Sequence, residues 1–295
     1  MSKILVVGDA MMDVKLSCEV SRLSQEAPIP IYDVDDQEIF VGGAGNVARN
    51  IAAMGGKVTL LCAMGVNSPI APPLTNNIEL VTVEVRGTTI KQRTFVNDVM
   101  RVRIDQDYIL DEDEGEKMVD RFVDIFRGHD TVVFSDYNKG ALRHVQDMIE
   151  HCRGKLTIVD PKGTNWNKYG GVSIIKGNAT EVSEVYAERL STARRLGTDI
   201  IIRTMGAGGS VATFADGRDD LEIPAFPEYA IDPTGAGDSY LAALAVALTR
   251  GDDLRTSMLR ASVAGALATV APGTYAIEEK DIESCLKRWL QNTKP

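Results

Sequence analysis

The sequence predicts an α/β fold, with a mainly parallel sheet, helices on both of its faces and a small second β-sheet as a cap. The chain opens with the apolar run Ile4–Val7, which is typical of a buried parallel strand. Between residues 111 and 203, short apolar strands alternate with helical segments, which indicates βαβ units. Residues 14–41 instead alternate apolar and polar side chains around two prolines. They predict a short antiparallel excursion that leaves the main sheet.

Composition restricts the function classes. The chain has 295 residues and a net charge of −10, so nucleic acid and anionic membrane surfaces are poor partners. A hydrophobic content of 44% suits one large domain over 1–295, with the small sheet inserted into it. The four cysteines form no C-x-x-C pair, and no stretch has the pattern of a signal peptide or the length of a membrane span. These features predict a protein of a reducing compartment, the cytoplasm.

The first polar loop and a glycine run form one candidate ligand site. Asp13 lies just beyond the first strand, at the end of a parallel strand where ligands bind, although it also fits a turn. Gly43-x-Gly45-x-x-Ala48 matches a dinucleotide fingerprint, but no acidic residue occurs between 50 and 78, so we reject that interpretation. The glycines then predict close contact between ligand and backbone, and Asn46 offers both a donor and an acceptor.

The next segments complete the predicted cap. Residues 57–63 predict a strand and 67–79 a proline-rich loop. Strands at 81–86, 88–95 and 100–105 would join 14–41 in a lid sheet built from about 14–41 and 81–105. One side of this lid is basic, and either an anion site or a solvated face explains it; its cations are Lys91, Arg93, Arg101 and Arg103.

In the second half, polar loops follow strand after strand on one edge of the sheet. Asn178-x-x-Glu181 places oxygen ligands one turn apart, which suits Mg²⁺, but a helix cap with a surface glutamate is equally consistent. Thr204-x-Gly206-x-x-Gly209 predicts either a cradle for nucleotide phosphates or a β-turn. No G-x-x-x-x-G-K-[ST] loop and no protein-kinase motif set occurs in the chain.

The stretch 232–240 carries the strongest chemical signal. The turn Gly235-Ala236-Gly237 leads into an alanine- and leucine-rich helix, whose unpaired first N–H groups favour an anion. Asp238 follows in the first turn, where it is either a capping residue or a carboxylate beside an anion cradle. The polar loops on the same edge favour the second interpretation, which is suited to phosphoryl transfer. The C-terminal part predicts helices at 253–270 and 278–291, joined by a loop at 271–276.

Three motifs in order give a resemblance to a known family. Gly42-Gly43-x-x-Asn46-x-Ala48, Asn178-x-x-Glu181 and Asp232-Pro-Thr-Gly-Ala-Gly-Asp238 resemble the motifs of the ribokinase-like (PfkB) carbohydrate kinases. The resemblance runs nearly end to end. It implies the ribokinase-like fold and an ATP- and Mg²⁺-dependent sugar kinase.

Within this family the chain is most similar to the heptose kinases of ADP-heptose and lipopolysaccharide synthesis. The similar stretches are 7–13, Ser21-Arg-Leu-Ser-Gln-Glu-Ala-Pro-Ile-Pro30, 135–142 and Asp160-Pro-Lys-Gly163. The resemblance implies phosphorylation of O1 of D-glycero-D-manno-heptose 7-phosphate. A kinase of another sugar or nucleoside, and a catalytically silent sugar-binding protein of this fold, are the alternatives.

The resemblance also implies residue roles. Asp238 is the general base, and the anion hole is formed by Gly235, Ala236 and Gly237. The residues implied in sugar binding are Asp13, Gly42, Gly43, Asn46 and Asp136. The candidate ligands of a substrate phosphate are Lys91, Arg93, Arg103, Lys139 and Lys162. The residues implied along ATP are Asn178, Thr204, Gly206, Gly209 and Gly273.

Cations and partners complete these expectations. Asn178 and Glu181 are expected to hold Mg²⁺ through water, and Asp232 and Thr234 a monovalent cation such as K⁺. Edge strands of the lid predict a homodimer. Two departures stand out: residues 67–79 are shorter than the family's helix and strand, and no H-x-G-H segment precedes Pro295. The second predicts a kinase alone, without a nucleotidyltransferase domain.

Overall fold

The computed structural model describes residues 3–66, 77–163, 165–186, 188–226, 230–270 and 276–292. Its strands, in chain order, are β1 Lys3–Gly8, β2 Ala10–Leu23, β3 Pro30–Gly43, β4 Lys57–Gly65, β5 Ile78–Val85, β6 Ile90–Val96, β7 Val99–Gln106, β8 Thr131–Ser135, β9 Leu156–Asp160, β10 Ile174–Asn178, β11 Ile200–Thr204, β12 Ser210–Phe214 and β13 Leu221–Ile223. Its helices are α1 Ala44–Ala53, α2 Glu112–Ile125, α3 Val145–His151, α4 Ala179–Tyr186, α5 Arg189–Leu196, α6 Ala236–Arg250, α7 Leu254–Ala268 and α8 Glu279–Asn292.

The main sheet has nine strands in the order β13-β12-β11-β10-β9-β8-β1-β4-β5. All neighbours from β11 to β5 are parallel, whereas β12 and β13 add an antiparallel edge that the sequence pattern does not reveal. The chain passes from β1 to β4 and β5 on one side and builds β8 to β11 on the other. Such a reversal opens a crevice at the carboxyl ends of the strands, where ligands bind in α/β sheets.

Helices cover both faces of this sheet, as predicted. Successive residues of β1 alternate between the two cores: Ile4 and Val6 belong to one apolar cluster, and Leu5 and Val7 to the other. The first cluster includes α1, α6 and α7, and the second includes α2 and α3. Helix α6 is buried on nearly all sides because alanine and leucine dominate its sequence. In the described part of the chain, no helix has the length and apolarity to cross a membrane.

The second sheet has four strands in the order β3-β2-β6-β7, and we call it the lid. Strands β2 and β3 form an antiparallel hairpin of 14-residue strands, longer than the short excursion predicted. Strand β6 pairs in parallel with β2 and antiparallel with β7. A separate small β-sheet is therefore confirmed.

One boundary of the predicted lid is wrong. The strand predicted at 81–86 corresponds to β5, which pairs in parallel with β4 in the main sheet. The period-two pattern misleads here because β5 is an edge strand with only one buried face, so Val81, Val83 and Val85 alternate with exposed residues as in a lid strand. Of the predicted loop at 67–79, residues 67–76 lie outside the described residues, and Ile78 and Glu79 already belong to β5.

Candidate active site

A cleft of about 600 Å³ lies at the carboxyl ends of β9, β10 and β11, against the start of α6. We call it the cleft. Eleven of the residues singled out in the sequence line it, and they come from five separate segments: Asp136, Lys162, Asn178, Glu181, Thr204, Gly206, Gly209, Gly235, Ala236, Gly237 and Asp238. The loops that follow successive strands therefore meet at one place.

The start of α6 forms one end of the cleft. Gly235 has a φ of 79°, a left-handed conformation that favours glycine. The N–H of Ala236 donates to the Pro233 carbonyl at 3.2 Å, so this member of the predicted anion hole already has a partner. Gly237 and Asp238 follow in the first turn, where amides lack helical acceptors and the helix dipole is positive. An anion is favoured there.

Asp238 is buried, with 5% of its surface exposed. Its Oδ2 accepts a hydrogen bond from Asn46 Nδ2 at 2.9 Å, and its Oδ1 accepts one from Tyr137 Oη at 2.5 Å. Burial raises the pKa of Asp238, while these two hydrogen bonds and the nearby Lys176 charge act against the rise. The side chain is a preorganised carboxylate whose hydrogen-bond donors are neutral, which suits a proton acceptor.

Tyr137 is a site residue that the sequence analysis did not single out. It directly follows β8, at the edge of the sheet where ligands bind, and this position in the sequence could have identified it as a site residue. Burial and the neighbouring Asp238 charge raise the pKa of its phenol well above the ordinary value. Its loop is held by the buried Asp9 carboxylate, which accepts backbone N–H bonds from Tyr137, Lys139 and Ala141 at 2.8, 3.0 and 2.9 Å.

A buried ion pair lies beneath the start of α6 and was also missed. Lys176 Nζ donates to Asp160 Oδ2 at 2.7 Å and lies 3.4 Å from the Gly237 carbonyl oxygen. The Lys176 side chain is 3% exposed. Burial raises the pKa of Asp160 to about 6, although the Lys176 charge opposes the rise. A lysine within a buried strand was the signal for this cation, since such charges need partners.

Asn178 and Glu181 cap α4 reciprocally. Asn178 Oδ1 accepts from the N–H groups of Thr180 and Glu181, while Glu181 Oε2 accepts from the Asn178 N–H at 2.9 Å. Glu181 Oε1 also accepts from Lys162 Nζ at 3.0 Å. Within the described ranges, no group of three or more His, Cys, Asp or Glu side chains is arranged for a metal. Glu181, as the carboxylate of this motif, fits a largely hydrated ion that substrate phosphates hold in place.

The predicted sugar-binding residues lie around the base of the lid. Asp13 Oδ1 accepts from Arg93 Nη1 at 2.6 Å. A Cβ on Gly42 would lie 2.2 Å from Asp13 Oδ2, and one on Gly43, whose φ is 59°, would lie 2.3 Å from the Asp9 carbonyl oxygen. Packing within the protein therefore already favours glycine at both positions, because a side chain at 42 would displace the Asp13 carboxylate and one at 43 would collide with the backbone. Asn46 contacts Asp238 directly.

Four of the five cations predicted for a substrate phosphate are paired with carboxylates of the chain itself. The pairs are Arg93–Asp13 at 2.6 Å, Arg103–Asp105 at 2.8 Å, Lys139–Asp107 at 2.8 Å and Lys162–Glu181 at 3.0 Å. Lys91 lies beside Asp13 and Asp105 in the lid register but forms no ion pair within 4 Å among the described residues. It is the available cation of this set.

Asp136 is also occupied within the protein. It is 5% exposed and accepts from Lys168 Nζ and Tyr169 Oη, both at 2.7 Å. It also accepts from the Asn138 N–H at 2.6 Å. These contacts fix the loop after β8, and they leave Asp136 as a structural member of the cleft wall.

Another part of the cleft wall is glycine-rich and partly apolar. Gly206 has a φ of 54°, and a Cβ on Gly209 would lie 2.2 Å from the Ile223 carbonyl oxygen. Thr204, Phe226 and residues of α7 also line the cleft. Gly273 lies outside the described residues. Asp232 Oδ1 accepts from the Thr234 N–H at 2.9 Å, in a turn just before α6.

Comparison with known proteins gives a consistent result. The family model described as "pfkB family carbohydrate kinase" matches residues 1–281. The bifunctional protein HldE of Shewanella sediminis is 32% identical over 300 residues, which cover 95% of this chain and 63% of that protein. HldE of Desulfatibacillum aliphaticivorans is 30% identical over 311 residues, covering 97% and 63%. The chain thus spans under two thirds of the length of these relatives.

Solved structures share the fold. Arabidopsis thaliana ribokinase complexed with ribose and ATP aligns with a TM-score of 0.71 and 19% identity, covering 97% of this chain and 99% of that one. Escherichia coli phosphofructokinase-2 in complex with substrates and products aligns with a TM-score of 0.76 and 20% identity, covering 98% and 99%. The same enzyme in complex with potassium gives 0.77 and 19%, covering 97% and 98%.

Proposed function

Because the chain belongs to the pfkB family of carbohydrate kinases, we propose that it transfers the γ-phosphoryl group of ATP to O1 of D-glycero-D-manno-heptose 7-phosphate. The observation that carries the proposal is the buried Asp238 carboxylate, set between a cleft of nucleotide size and the base of the lid. The heptose substrate is supported by the HldE relatives at 30–32% identity.

In the proposed mechanism, the acceptor hydroxyl lies against Asp238. Its oxygen attacks the γ-phosphorus, its proton passes to the Asp238 carboxylate, and the bond to the β,γ-bridging oxygen breaks to release ADP. The first amides of α6 and the Lys176 charge stabilise the negative charge that the phosphoryl oxygens carry. Both groups are fixed before substrate binds, so little reorganisation is needed during the reaction.

The nucleotide is placed along the cleft. Its phosphates would follow the turn at 206–209 towards the start of α6, and its base would lie between Phe226 and the small residues Gly265 and Ala266 of α7. Gly265 also lets α7 pack closely against α6, since a Cβ there would lie 3.3 Å from the Ala236 carbonyl oxygen. Mg²⁺, held by the phosphates, by waters and by Glu181, would neutralise phosphate charge. Asp232 and Thr234 remain the proposed K⁺ ligands.

The substrate phosphate would be bound by Lys91. This lysine lies on β6 next to Asp13 on β2 and Asp105 on β7, on the lid strand that also carries Arg93. A phosphate at this place would compete with Asp13 and Asp105 for Arg93 and Arg103. Arginine binds phosphate in a bidentate manner, so such an exchange of partners is chemically reasonable.

A second candidate substrate is a neutral sugar. The observation that favours it is the pairing of Arg93, Arg103, Lys139 and Lys162 with carboxylates, which leaves few cations for a phosphate. In this case Asp13 and Asn46 would receive the sugar hydroxyls, and the chemistry at Asp238 would be unchanged.

A substrate panel separates the candidates. The purified protein is incubated with ATP and Mg²⁺ and with heptose 7-phosphate, fructose 6-phosphate, fructose, ribose or a nucleoside, and ADP is measured by a coupled assay. We expect the highest kcat/KM with heptose 7-phosphate. Turnover of neutral sugars alone would support the second candidate, and sugar binding by calorimetry without any ADP would contradict both.

We also propose that two copies pair through the lid. Several large apolar side chains in or next to the lid are exposed, among them Leu23, Ile29 and Ile104 at 65%, 56% and 54%. Exposed apolar side chains and open edge strands are features of many subunit interfaces. Light scattering after size exclusion should give a dimer mass for the protein and a monomer mass for a Leu23→Lys/Ile104→Lys variant. A wild-type monomer at micromolar concentration would contradict this arrangement.

A further inference from the structure

We propose that Tyr137 is a positioning residue for the catalytic base: its phenol fixes the Asp238 carboxylate so that a free lone pair faces the acceptor hydroxyl. The inference rests on the proposed role of Asp238 as the proton acceptor. The Tyr137 hydroxyl lies 2.5 Å from Asp238 Oδ1, and Asn46 Nδ2 lies 2.9 Å from Oδ2. With one donor on each oxygen, the plane of the carboxylate is fixed on both sides.

The position of Tyr137 is itself imposed by the fold. The buried carboxylate of Asp9, just beyond β1, accepts three backbone N–H bonds from the loop that follows β8, the first of them from Tyr137. The same loop is tied to Asp136 through the Asn138 N–H. A tyrosine on so constrained a backbone places its hydroxyl with little freedom, which is what orientation of a reacting group requires.

Tyr137 also connects the base with one of the predicted sugar-binding glycines, Gly43. A Cβ on Gly43 would lie 3.4 Å from Tyr137 Cδ2, in ordinary contact with the ring. The ring therefore contacts the glycine turn before α1, while its hydroxyl contacts Asp238. At this location the side chain can orient the Asp238 carboxylate and can also limit how the acceptor approaches it.

The charged and polar groups that act on Asp238 come from five segments. They are Asn46 on α1, Tyr137 after β8, Lys176 on β10, Asp13 on β2 and Asp160 on β9. A hydrogen bond to an ionised carboxylate stabilises the ionised form and lowers its pKa. Loss of the phenol hydroxyl therefore raises the pKa of Asp238. Because the base must be ionised to accept a proton, the acid limb of the kcat profile moves to higher pH.

The test compares Tyr137→Phe with a matched control, Tyr108→Phe. Tyr108 Oη makes the same kind of bond, to Glu114 Oε1 at 2.7 Å, away from the cleft. Kinetics are measured from pH 5 to 9 with the sugar that the wild-type protein phosphorylates. We expect Tyr137→Phe to lower kcat at neutral pH by about 10- to 100-fold, the scale of a hydrogen bond to a charged group, with an acid limb at higher pH and an unchanged KM for ATP. An acid limb identical to that of Tyr108→Phe would overturn the inference.

A second measurement does not require turnover. In protein labelled with ¹³C at the aspartate carboxyls, Asp238 is assigned by its absence in Asp238→Asn, and its titration midpoint is compared in the wild type and Tyr137→Phe. A higher midpoint in the variant supports the inference, and an equal midpoint overturns it. If the wild type phosphorylates no sugar, the proposed function fails while this titration still decides the role of Tyr137.

If Tyr137→Phe does not fold, the same contact can be tested from the other side, by changing Asp238 and observing Tyr137. In Asp238→Asn labelled with ¹³Cζ-tyrosine, the Tyr137 phenol is expected to ionise at lower pH than in the wild type, because the neighbouring carboxylate charge raises its pKa. An unchanged titration of that phenol would show that the two groups do not interact, which overturns the inference.

Discussion

Two aspartates of this chain, Asp238 and Asp13, have opposite electrostatic surroundings. Asp238 lies in the main domain, is 5% exposed, and has neutral donors, Asn46 and Tyr137, on its two oxygens. Asp13 lies at the base of the lid and is paired with Arg93 at 2.6 Å. Burial raises the pKa of Asp238, so this carboxylate keeps a tendency to take up a proton, whereas the Asp13 carboxylate is held in an ion pair.

The difference extends to the regions around them. The corner at α6 is fixed by hydrogen bonds to buried groups on α1 and after β8, so it is complete before any substrate arrives. The lid offsets its cations with its own carboxylates, so a charged substrate has to exchange partners with them. In the proposed mechanism, the rigid region carries the chemistry and the region whose ion pairs can be rearranged carries the choice of substrate.

The largest expected effect is at the corner. Asp238→Asn should lower kcat by about 10²–10⁴-fold, the usual contribution of a general base, with little change in nucleotide affinity measured by calorimetry. The variant should unfold at an equal or higher denaturant concentration, since it removes a charge whose burial is costly. A matched Asp13→Asn variant should mainly raise the KM for the sugar. Equal losses of kcat in the two variants would remove the distinction drawn here.

The next effect concerns the lid. Lys91→Met should raise the KM for a sugar phosphate by about 10-fold, as expected for loss of one hydrogen bond to a charged group, and should leave the KM for ATP unchanged. The exposed Arg101→Met on the neighbouring strand is the control for a general loss of positive charge. If both variants raise the KM equally, the lid acts through its overall charge and not through Lys91.

A pH effect is expected at the buried pair below α6. The pKa of Asp160 is about 6 in the folded protein, above its ordinary value of 3.8, so between pH 4 and 6 the folded state binds more protons than the unfolded state. The contribution of Asp160 to the free energy of unfolding therefore falls by up to about 3 kcal/mol as pH rises through this window. Above the window it stays constant. Urea unfolding at several pH values should show this slope in the wild type and lose it in Asp160→Asn. A difference between the two proteins that does not vary with pH would contradict it.

The smallest expected effect is at the start of α4. Asn178→Ala removes the side chain that accepts from the Thr180 and Glu181 N–H groups and should lower the free energy of unfolding by about 1 kcal/mol, measured by chemical denaturation. Asn178→Ser keeps a capping oxygen and should be close to the wild type. If both variants also weaken the dependence of activity on Mg²⁺, the cap and the metal requirement share this residue.

The sequence predicts much of this arrangement because its signals are local. The apolar strands, the turn at Gly235 and the acidic residue after it can each be identified within a few residues, and the parallel order then places their loops on one edge. The lid boundary at 81 could not be predicted, since an edge strand of the main sheet and a lid strand have the same period-two pattern. Tyr137 was missed because its partner, Asp238, lies 101 positions away. The Lys176–Asp160 pair was missed because the two residues lie on separate neighbouring strands, although a lysine in an apolar strand was a signal. The ion pairs of the lid could not be predicted either, because they depend on the directions in which the side chains point, and the number of charges does not reveal these.

The contacts that hold Asp238 also affect how the enzyme matures after synthesis. Asn46 and Tyr137 lie 192 and 101 positions away along the chain, and the Asp9 contact with the Tyr137 N–H spans 128. Closing such long loops is entropically expensive, so these contacts form late, after local helices and hairpins. Recovery of catalysis on refolding should coincide with the slowest cooperative phase, and half-formed intermediates should consume no ATP.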